Sequence, residues 1–334
     1  MPIFTKNQAL LYQGLKLFSR LAIKVLCRKL IVNDPAVLRK KGPILLAANH
    51  PNSFLDSIVL DTLFEEPVWA LARGDAFRNG THAKLLRRLK IMPVFRTSEG
   101  VENLNVNYQT FNSCVGLFKE NSIVTIYSEA LCVNEWHLRP LKKGTARLAI
   151  QTWDAGIPLE VIPVGINYSS FRLFGKNVHI NFGKPITQQD VPPQTSDGQR
   201  NNLFNQKLTA ALQELVYEIP KENHALLEEK LGVKISQLER FLLWIPAKLG
   251  QWIHYPLYLP IKNFTAKKFR HTGHIDSVIS ALLLLSYPIY LLLFYLLFQL
   301  AGVSAGWAVG IIFLFPFLAW AQVRIKPQFD HQVK

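Results

Sequence analysis

The chain has 334 residues, a length that predicts about two domains. It carries 38 Lys and Arg against 23 Asp and Glu, a formal charge of +15, and 49% of its residues are hydrophobic. This composition excludes a disordered chain, whose hydrophobicity is low, and a nucleic-acid-binding tail, whose charge density is high. A chain that is both basic and apolar is typical of a protein that acts at the surface of an anionic membrane, and we expect no nucleic-acid partner.

Residues 1–37 predict a basic amphipathic helix. Its cations recur every four residues, so they form one stripe of a helix and interrupt the apolar run that a signal peptide needs. They are Lys16, Arg20, Lys24 and Arg28. We interpret this segment as an interfacial helix that lies in the headgroup plane of a membrane. An ordinary helix that packs on a domain core is the alternative.

Residues 38–190 predict an α/β domain. Short apolar and β-branched runs, bounded by Gly, Pro or Asn, indicate strands at 43–48, 67–72, 91–95, 122–127, 160–168 and 177–182. Helical spacing indicates helices at 53–64, 101–119 and 144–155. Because strands that alternate with helices form parallel sheets buried on both faces, we expect a mostly parallel sheet with flanking helices.

The residues after this domain predict a membrane anchor. We interpret 191–274 as a linker followed by a helical, aromatic-rich interfacial segment. No Asp, Glu, Lys or Arg occurs from Ser277 to Val323, and a single helix of that stretch would run roughly 70 Å, more than twice the ~30 Å hydrocarbon core. We therefore predict a hairpin of two transmembrane helices at 275–323 and a short basic tail at 324–334. One span and one core helix are the alternative.

Cations flank the predicted hairpin on both sides. They are Lys262, Lys267, Lys268 and Arg270 before it, and Arg324 and Lys326 after it. Because cytoplasmic flanks carry the excess of positive charge, both ends of the hairpin are expected in the cytoplasm. The sequence thus predicts an integral membrane protein whose α/β domain lies on the cytoplasmic face.

The first junction between a predicted strand and a predicted helix carries His50 and Asp56. In α/β sheets, reactive residues lie where strands end and helices begin. If His50 lies in the loop and Asp56 in the first helical turn, the carboxylate can reach one ring nitrogen and raise the basicity of the other. Alternatively, Asp56 forms a capping box with Ser53, or His50 is an ordinary core residue.

Several motifs follow this junction in a fixed order. An apolar strand ends at Arg96, a turn reads Tyr127-Ser128-Glu129-Ala130, a run reads Pro140-Leu141-Lys142-Lys143-Gly144, and a later strand contains Val161-Ile162-Pro163-Val164. Together with Asn49-His50 and Asp56, they resemble the glycerolipid acyltransferases typified by bacterial 1-acylglycerol-3-phosphate acyltransferase. The resemblance covers about residues 40–185.

This sequence departs from the family pattern at three places. Five residues separate His50 from Asp56, where the usual motif has four. The aromatic-Pro-Glu-Gly turn of the family keeps Glu129 but has lost its Pro and its Gly, and Cys132 stands where the family has an Arg.

The resemblance implies an enzyme of phospholipid synthesis that moves a fatty acyl group from acyl-CoA or acyl-carrier protein to the hydroxyl of lysophosphatidate or glycerol-3-phosphate. A thioester carbonyl is already activated, so a His-Asp dyad can suffice, with His50 as the base and Asp56 as its orienter. Cations are expected to hold the phosphate of the acceptor. The candidates are Arg96, Lys142, Arg73, Arg139 and Lys143. Glu129 is expected to orient the acceptor or one of these arginines.

We expect neither a metal nor a cofactor, since thioester transfer needs none and the histidines are dispersed along the chain. The expected partners are the acyl thioester donor, the phosphate-bearing acceptor and anionic membrane lipids. Two other interpretations stay open: an acyltransferase for a lyso-lipid acceptor without a phosphate, and a membrane-anchored lipid-binding protein without catalysis.

Overall fold

The computed structural model describes residues 6–95, 104–193, 196–269 and 272–332. Within them, seven strands form one sheet in the order β1-β7-β6-β2-β5-β3-β4. Every neighbouring pair is parallel except β6 and β7, which are antiparallel. The strands are β1 (Cys27–Val32), β2 (Ile44–Ala48), β3 (Val68–Arg73), β4 (Ile91–Val94), β5 (Ile123–Tyr127), β6 (Glu160–Tyr168) and β7 (Lys176–Phe182). The predicted mostly parallel α/β sheet is confirmed.

Helices flank this sheet and continue beyond it. The first five are α1 (Lys6–Leu26), α2 (Phe54–Leu63), α3 (Gly80–Arg88), α4 (Leu104–Lys119) and α5 (Gly144–Asp154). The others are α6 (Asp197–Leu215), α7 (His224–Leu231), α8 (Gln237–Phe269), α9 (Ile275–Leu300) and α10 (Ala305–Ile325).

Strand β2 is buried on both faces, as a central strand of a parallel sheet should be. Leu45 and Ala47 pack in a cluster with α4, α5 and α6, whereas Ile44 and Leu46 pack in a second cluster with α2. Successive side chains point to opposite faces of a strand, which explains the two clusters. Burial of each Leu or Ile side chain contributes about 1.5–3 kcal/mol, so these clusters stabilise the strand that leads to His50.

Strand β1 lies inside the segment 1–37 that was predicted to be helical. The β-branched end of β1 pairs with β7. Arg28, which was predicted to lie on the helical stripe, instead lies in β1 and donates from Nε to the carbonyls of Val323 and Arg324, both at 3.1 Å. These carbonyls lie in the last turn of α10, where the helix leaves backbone acceptors free. Tertiary contacts with the carboxyl end of α10 therefore override the helical pattern at this position.

Two cations of α1, Lys16 and Arg20, bind α2 and the turn after it, whereas Lys24 is exposed. Arg20 donates from Nε to Thr62 O at 2.9 Å, and Lys16 donates from Nζ to Glu66 O at 2.7 Å and to Asp61 Oδ1 at 3.2 Å. This part of the stripe thus packs against the α/β domain, and an exposed apolar stripe lies elsewhere on the helix. Its members are Leu10, Leu17 and Leu21. Placement of this helix in a headgroup plane stays a prediction.

The predicted boundary at residue 190 also differs from the structure. Helix α6 begins at Asp197, inside the predicted linker, and packs against β6 and α5. Its inner residues Phe204, Leu208 and Leu212 belong to the same cluster as Leu45. The α/β domain therefore continues beyond the predicted boundary.

Two apolar helices, α9 and α10, form a hairpin at the carboxyl end. Both are long and apolar enough to cross a membrane, and Gly302 turns the chain between them with a φ of +76°. Helix α10 packs closely on α8, since a Cβ on Gly250 would meet the carbonyl oxygen of Leu318 at 2.1 Å. The first turns of α9 are buried against the α/β domain, with Asp276 only 2% exposed.

Candidate active site

His50 and Asp56 meet at the carboxyl end of β2. The strand ends at Ala48, His50 lies in the following loop, and Asp56 lies in the first turn of α2. His50 Nδ1 is 2.9 Å from Asp56 Oδ2. The Ser53 side chain forms no capping hydrogen bond, so the capping-box alternative does not describe this junction. The predicted pair is formed, and its catalytic role stays a prediction at this stage.

Asp56 is fully buried and its two carboxylate oxygens are both bound. Oδ2 also accepts the backbone N–H of Asn52 at 2.9 Å, and Oδ1 accepts the hydroxyl of Tyr168 at 2.8 Å. Burial, and then the negative charge of Asp56, raises the pKa of Tyr168, so this phenol stays protonated and donates. A buried carboxylate requires such donors, and together they fix the direction in which Asp56 faces His50.

The imidazole of His50 is held by one hydrogen bond and one ring contact. It stacks on Tyr127 at the end of β5, with ring centroids 3.9 Å apart and an interplanar angle of 18°. Nε2 has no protein partner among the residues that the structure describes, and the side chain lines a cavity. An imidazole bound at Nδ1 and open at Nε2 has the geometry that a general base requires.

Asn49 anchors the start of this loop. Its side-chain Nδ2 donates to Ile166 O at 3.0 Å and its Oδ1 accepts the Ile166 N–H at 2.8 Å. The amide thus pairs with the backbone of β6 and replaces the ladder hydrogen bonds that β2 loses where it ends. The sequence pattern assigned no role to Asn49, although this residue directly precedes His50.

Glu129 joins the two loops that border the site. Its Oε2 accepts the backbone N–H of His50 and its Oε1 accepts the backbone N–H of Arg139, both at 2.8 Å. Burial raises the pKa of the Glu129 carboxyl, and these two backbone donors oppose that rise. The Glu129 carboxylate thus binds the backbone of His50 and of Arg139. A role of Glu129 in orienting the acceptor stays a prediction.

The cations predicted to bind phosphate fall into three groups. Lys142 and Lys143 are exposed at the cavity, whereas Arg139 also lines it but donates from Nη1 to Glu135 Oε2 at 3.0 Å. Arg73 lines the cavity and forms an ion pair with Asp75. Arg96 lies outside the described residues. The structure thus brings four of the five predicted cations to the cavity that contains His50.

The cavity has a volume of about 2100 Å³ and both polar and apolar walls. His50, Glu129 and the cations form the polar part. The apolar part includes Leu86, Leu89, Val94, Phe111 and Ile150. Such a combination can accept a long apolar chain next to an anionic group.

Helix α9 also contributes to this cavity, a contact that the sequence did not predict. His274, at the amino-terminal cap of α9, lines the cavity together with Leu284 and Leu285. Burial, and then the charges of His50 and Arg73, lowers the pKa of His274. In the described part of the chain, no group of three or more His, Cys, Asp or Glu side chains could hold a metal ion.

The fold and the site define an α/β protein with a candidate general base at the wall of a large, partly apolar cavity. Residues 29–167, which run from β1 into β6, match the family model described as Acyltransferase. The match of this segment to the acyltransferase family bears out the family resemblance and the expectation of an acyl-transferring enzyme.

The crystal structure of the 1-acyl-sn-glycerophosphate (LPA) acyltransferase PlsC from Thermotoga maritima is similar over 63% of this chain and 82% of its own, with 15% identity and a TM-score of 0.44. A search of curated proteins found no match.

Proposed function

We propose that this protein is a membrane-bound acyltransferase that moves a fatty acyl group from acyl-CoA or acyl-carrier protein to the hydroxyl of lysophosphatidate or glycerol-3-phosphate. The observation that carries the proposal is the 2.9 Å contact between His50 and Asp56 at the cavity wall. The acyltransferase domain at 29–167 supports the reaction class. The acceptor and the donor are our inference from the chemistry of the cavity and from the motifs.

The reaction needs one base and no covalent enzyme intermediate. His50 Nε2 takes the proton of the acceptor hydroxyl while its oxygen attacks the thioester carbonyl carbon. The tetrahedral intermediate then collapses, the C–S bond breaks, and the leaving thiolate takes the proton from the imidazolium. Asp56 accepts the Nδ1–H, which holds the imidazole in the tautomer whose Nε2 is free and stabilises the imidazolium that forms.

The cations at the cavity would bind the phosphate of the acceptor. Lys142 and Lys143 are exposed there, and Arg73 belongs to an ion pair whose side chains are 54% and 41% exposed. Exposed ion pairs contribute little to stability, about 0–1 kcal/mol, so exchange of a carboxylate for a phosphate costs little. No cofactor or metal takes part in this proposal.

The helices beyond the domain would anchor the enzyme in the bilayer. Helices α9 and α10 would cross the hydrocarbon core, with the domain on the cytoplasmic side where the flanking cations lie. Helix α8 presents a large exposed apolar face that suits the membrane interface. Its members include Phe241, Trp244, Ile245 and Trp252. A two-tailed product could then leave the cavity directly into lipid.

The test is a substrate panel with the full-length purified protein in anionic vesicles. Both acceptors are crossed with both donors, and release of the free thiol is measured. We expect thiol release that depends on one of the acceptors, and a loss of at least about 100-fold in kcat on His50→Ala. His224→Ala, at an exposed site on α7 outside the cavity, is the matched control and should retain full activity.

Two results would contradict the proposal. Equal turnover with the dephosphorylated form of each acceptor would favour an acceptor without a phosphate. Thioester binding without acceptor-dependent thiol release would favour a lipid-binding protein.

A further inference from the structure

The amino-terminal turn of α9 carries polar groups that face the loop of His50. Asp276 and Ser277 open an otherwise apolar helix, and they are 2% and 0% exposed. Both lie more than 100 residues beyond the matched acyltransferase segment, which ends at residue 167. A carboxylate buried at this depth is costly unless it is paired and hydrogen-bonded, so its partners are informative.

Asp276 joins the loop to the sheet. Its Oδ2 accepts the side-chain N–H of Asn52 at 2.6 Å and forms an ion pair with Lys176, the first residue of β7. The side chain of Lys176 is only 3% exposed. Lys176 of the sheet therefore fixes the position of the Asp276 carboxylate, and this carboxylate in turn holds the side chain of Asn52.

Ser277 holds the backbone of the same residue. Its hydroxyl donates to Asn52 O at 2.6 Å, and it accepts the Leu55 N–H at 3.4 Å. Asn52 is thus bound through its side chain by Asp276 and through its carbonyl by Ser277.

Asn52 in turn contacts the candidate catalytic pair. Its backbone N–H donates to Asp56 Oδ2, the oxygen that also binds His50 Nδ1. The next residue, Ser53, has φ 55° and ψ −142°, a conformation that non-glycine residues hold only when the surrounding contacts over-determine it. The contacts of Asn52 with α9 supply part of that constraint.

We propose that Asp276 and Ser277 are positioning residues for the His50–Asp56 pair and act through Asn52. The segment that leads into the apolar hairpin thereby supports the active site as well as the anchor. This inference rests on the proposed function, because it concerns the rate of that reaction. A misplacement of a catalytic group by about 1 Å can cost about 100-fold in rate.

Two double variants separate positioning from stability. Lys176→Met with Asp276→Asn removes both charges but keeps an oxygen that can accept from Asn52. Lys176→Met with Asp276→Leu removes both charges and the acceptor. Replacement of a buried ion pair by neutral groups of similar volume is often close to neutral for stability, so both proteins should fold, and their thermal midpoints are compared directly.

We expect the first double variant to keep kcat within about threefold of the parent protein, and the second to lose about 10- to 100-fold in kcat with an unchanged KM for the acyl donor. Asn52→Leu alone should lower kcat by a similar factor. A protein that combines Asn52→Leu with the second double variant should have a kcat only slightly lower than that of Asn52→Leu alone, because both changes remove the hydrogen bond between Asn52 and residue 276. Equal kcat in the two double variants, or a loss that only follows the thermal midpoint, would overturn the positioning role.

Ser277 is tested by Ser277→Ala, with Ser280→Ala as the matched control. Ser280 is buried one turn further along α9 and, in the described part of the chain, has no hydrogen bond to the loop 49–55. We expect a lower kcat for Ser277→Ala alone, and equal kcat values would overturn its role. A parent protein that is inactive with every donor and acceptor would overturn the proposed function and this inference together, whereas an active parent with unaffected variants overturns only the inference.

Discussion

Two residues beside the active site adopt backbone angles that L-residues rarely use. Ser53 has a φ of 55° and Ala130 a φ of 53°. Ala130 follows Glu129 in the turn where the family pattern has Gly, and the left-handed conformation explains that preference. For a residue with a Cβ it costs roughly 1–2 kcal/mol, whereas Gly adopts it freely.

Ala130→Gly is therefore expected to stabilise the protein. The relief of strain exceeds the entropy that Gly adds to the unfolded chain, about 0.4–1 kcal/mol, so the free energy of unfolding should rise by up to about 1 kcal/mol. The thermal midpoint of the purified protein measures this. Ala83→Gly, in the interior of α3, is the control and should lower the midpoint. A lower midpoint for Ala130→Gly would contradict the strain argument.

At this scale the sequence predicts local pairs and misses distant ones. His50 and Asp56 are six residues apart, and strand-end chemistry was enough to place them together. Asn52 and Asp276 are 224 residues apart, and a single Asp at the start of an apolar run reads as a helix-start residue. Only the packed structure shows that this carboxylate is buried against the loop of His50.

At the scale of elements, the periodicity of hydrophobic residues predicts those strands and helices that bury one or both faces in a regular pattern. The strands β2 to β7 lie within about one residue of the predicted ranges. Strand β1 was missed because the i+4 spacing of cations continues through Arg28, whose true partners are carbonyls of α10. Only the start of α6 was read as part of the linker, because it is polar, although Ser196 and Gln199 form a capping box that signals where the helix begins.

Lys326 lies just after the carboxyl end of α10, and its environment makes the stability of the folded protein depend on pH. Burial, and then the charges of Arg28 and Lys176, lowers its pKa to about 7. The unfolded chain therefore binds more protons than the folded one between about pH 7 and the usual lysine value, 10.5. Stability is lowest below about pH 7 and rises as the pH rises through this window.

Lys326→Met should remove this dependence on pH. It should also raise the free energy of unfolding at pH 7, because the methionine needs no desolvation of a charge. Thermal midpoints measured from pH 6.5 to pH 9.5 test this. Lys184→Met, at an exposed position after β7, should leave the midpoint and its pH dependence unchanged. A variant of Lys326 as pH-sensitive as the parent protein would contradict the assignment.

At the scale of the whole molecule, the α/β domain and helix α9 together line the cavity that contains His50. Leu284 and Leu285 of α9 line it together with apolar residues of the domain, and α8 and α9 also carry exposed apolar side chains. The sequence predicted an anchor and a catalytic domain as separate units. Their contact at Asn52 joins them, so under the proposed function the membrane segment and the chemistry are mechanically connected.

The central claim is that His50 and Asp56 act as one general-base unit in acyl transfer. A double-mutant cycle on kcat, with His50→Ala, Asp56→Asn and their combination, tests it most directly. We predict that each single change lowers kcat by at least about 100-fold and that the combination is hardly worse than His50→Ala alone, as expected for residues that act as a unit. The claim would be contradicted if the double variant were folded and its fold-loss in kcat equalled the product of the two single losses. A His50→Ala protein with the kcat of the parent would also contradict it.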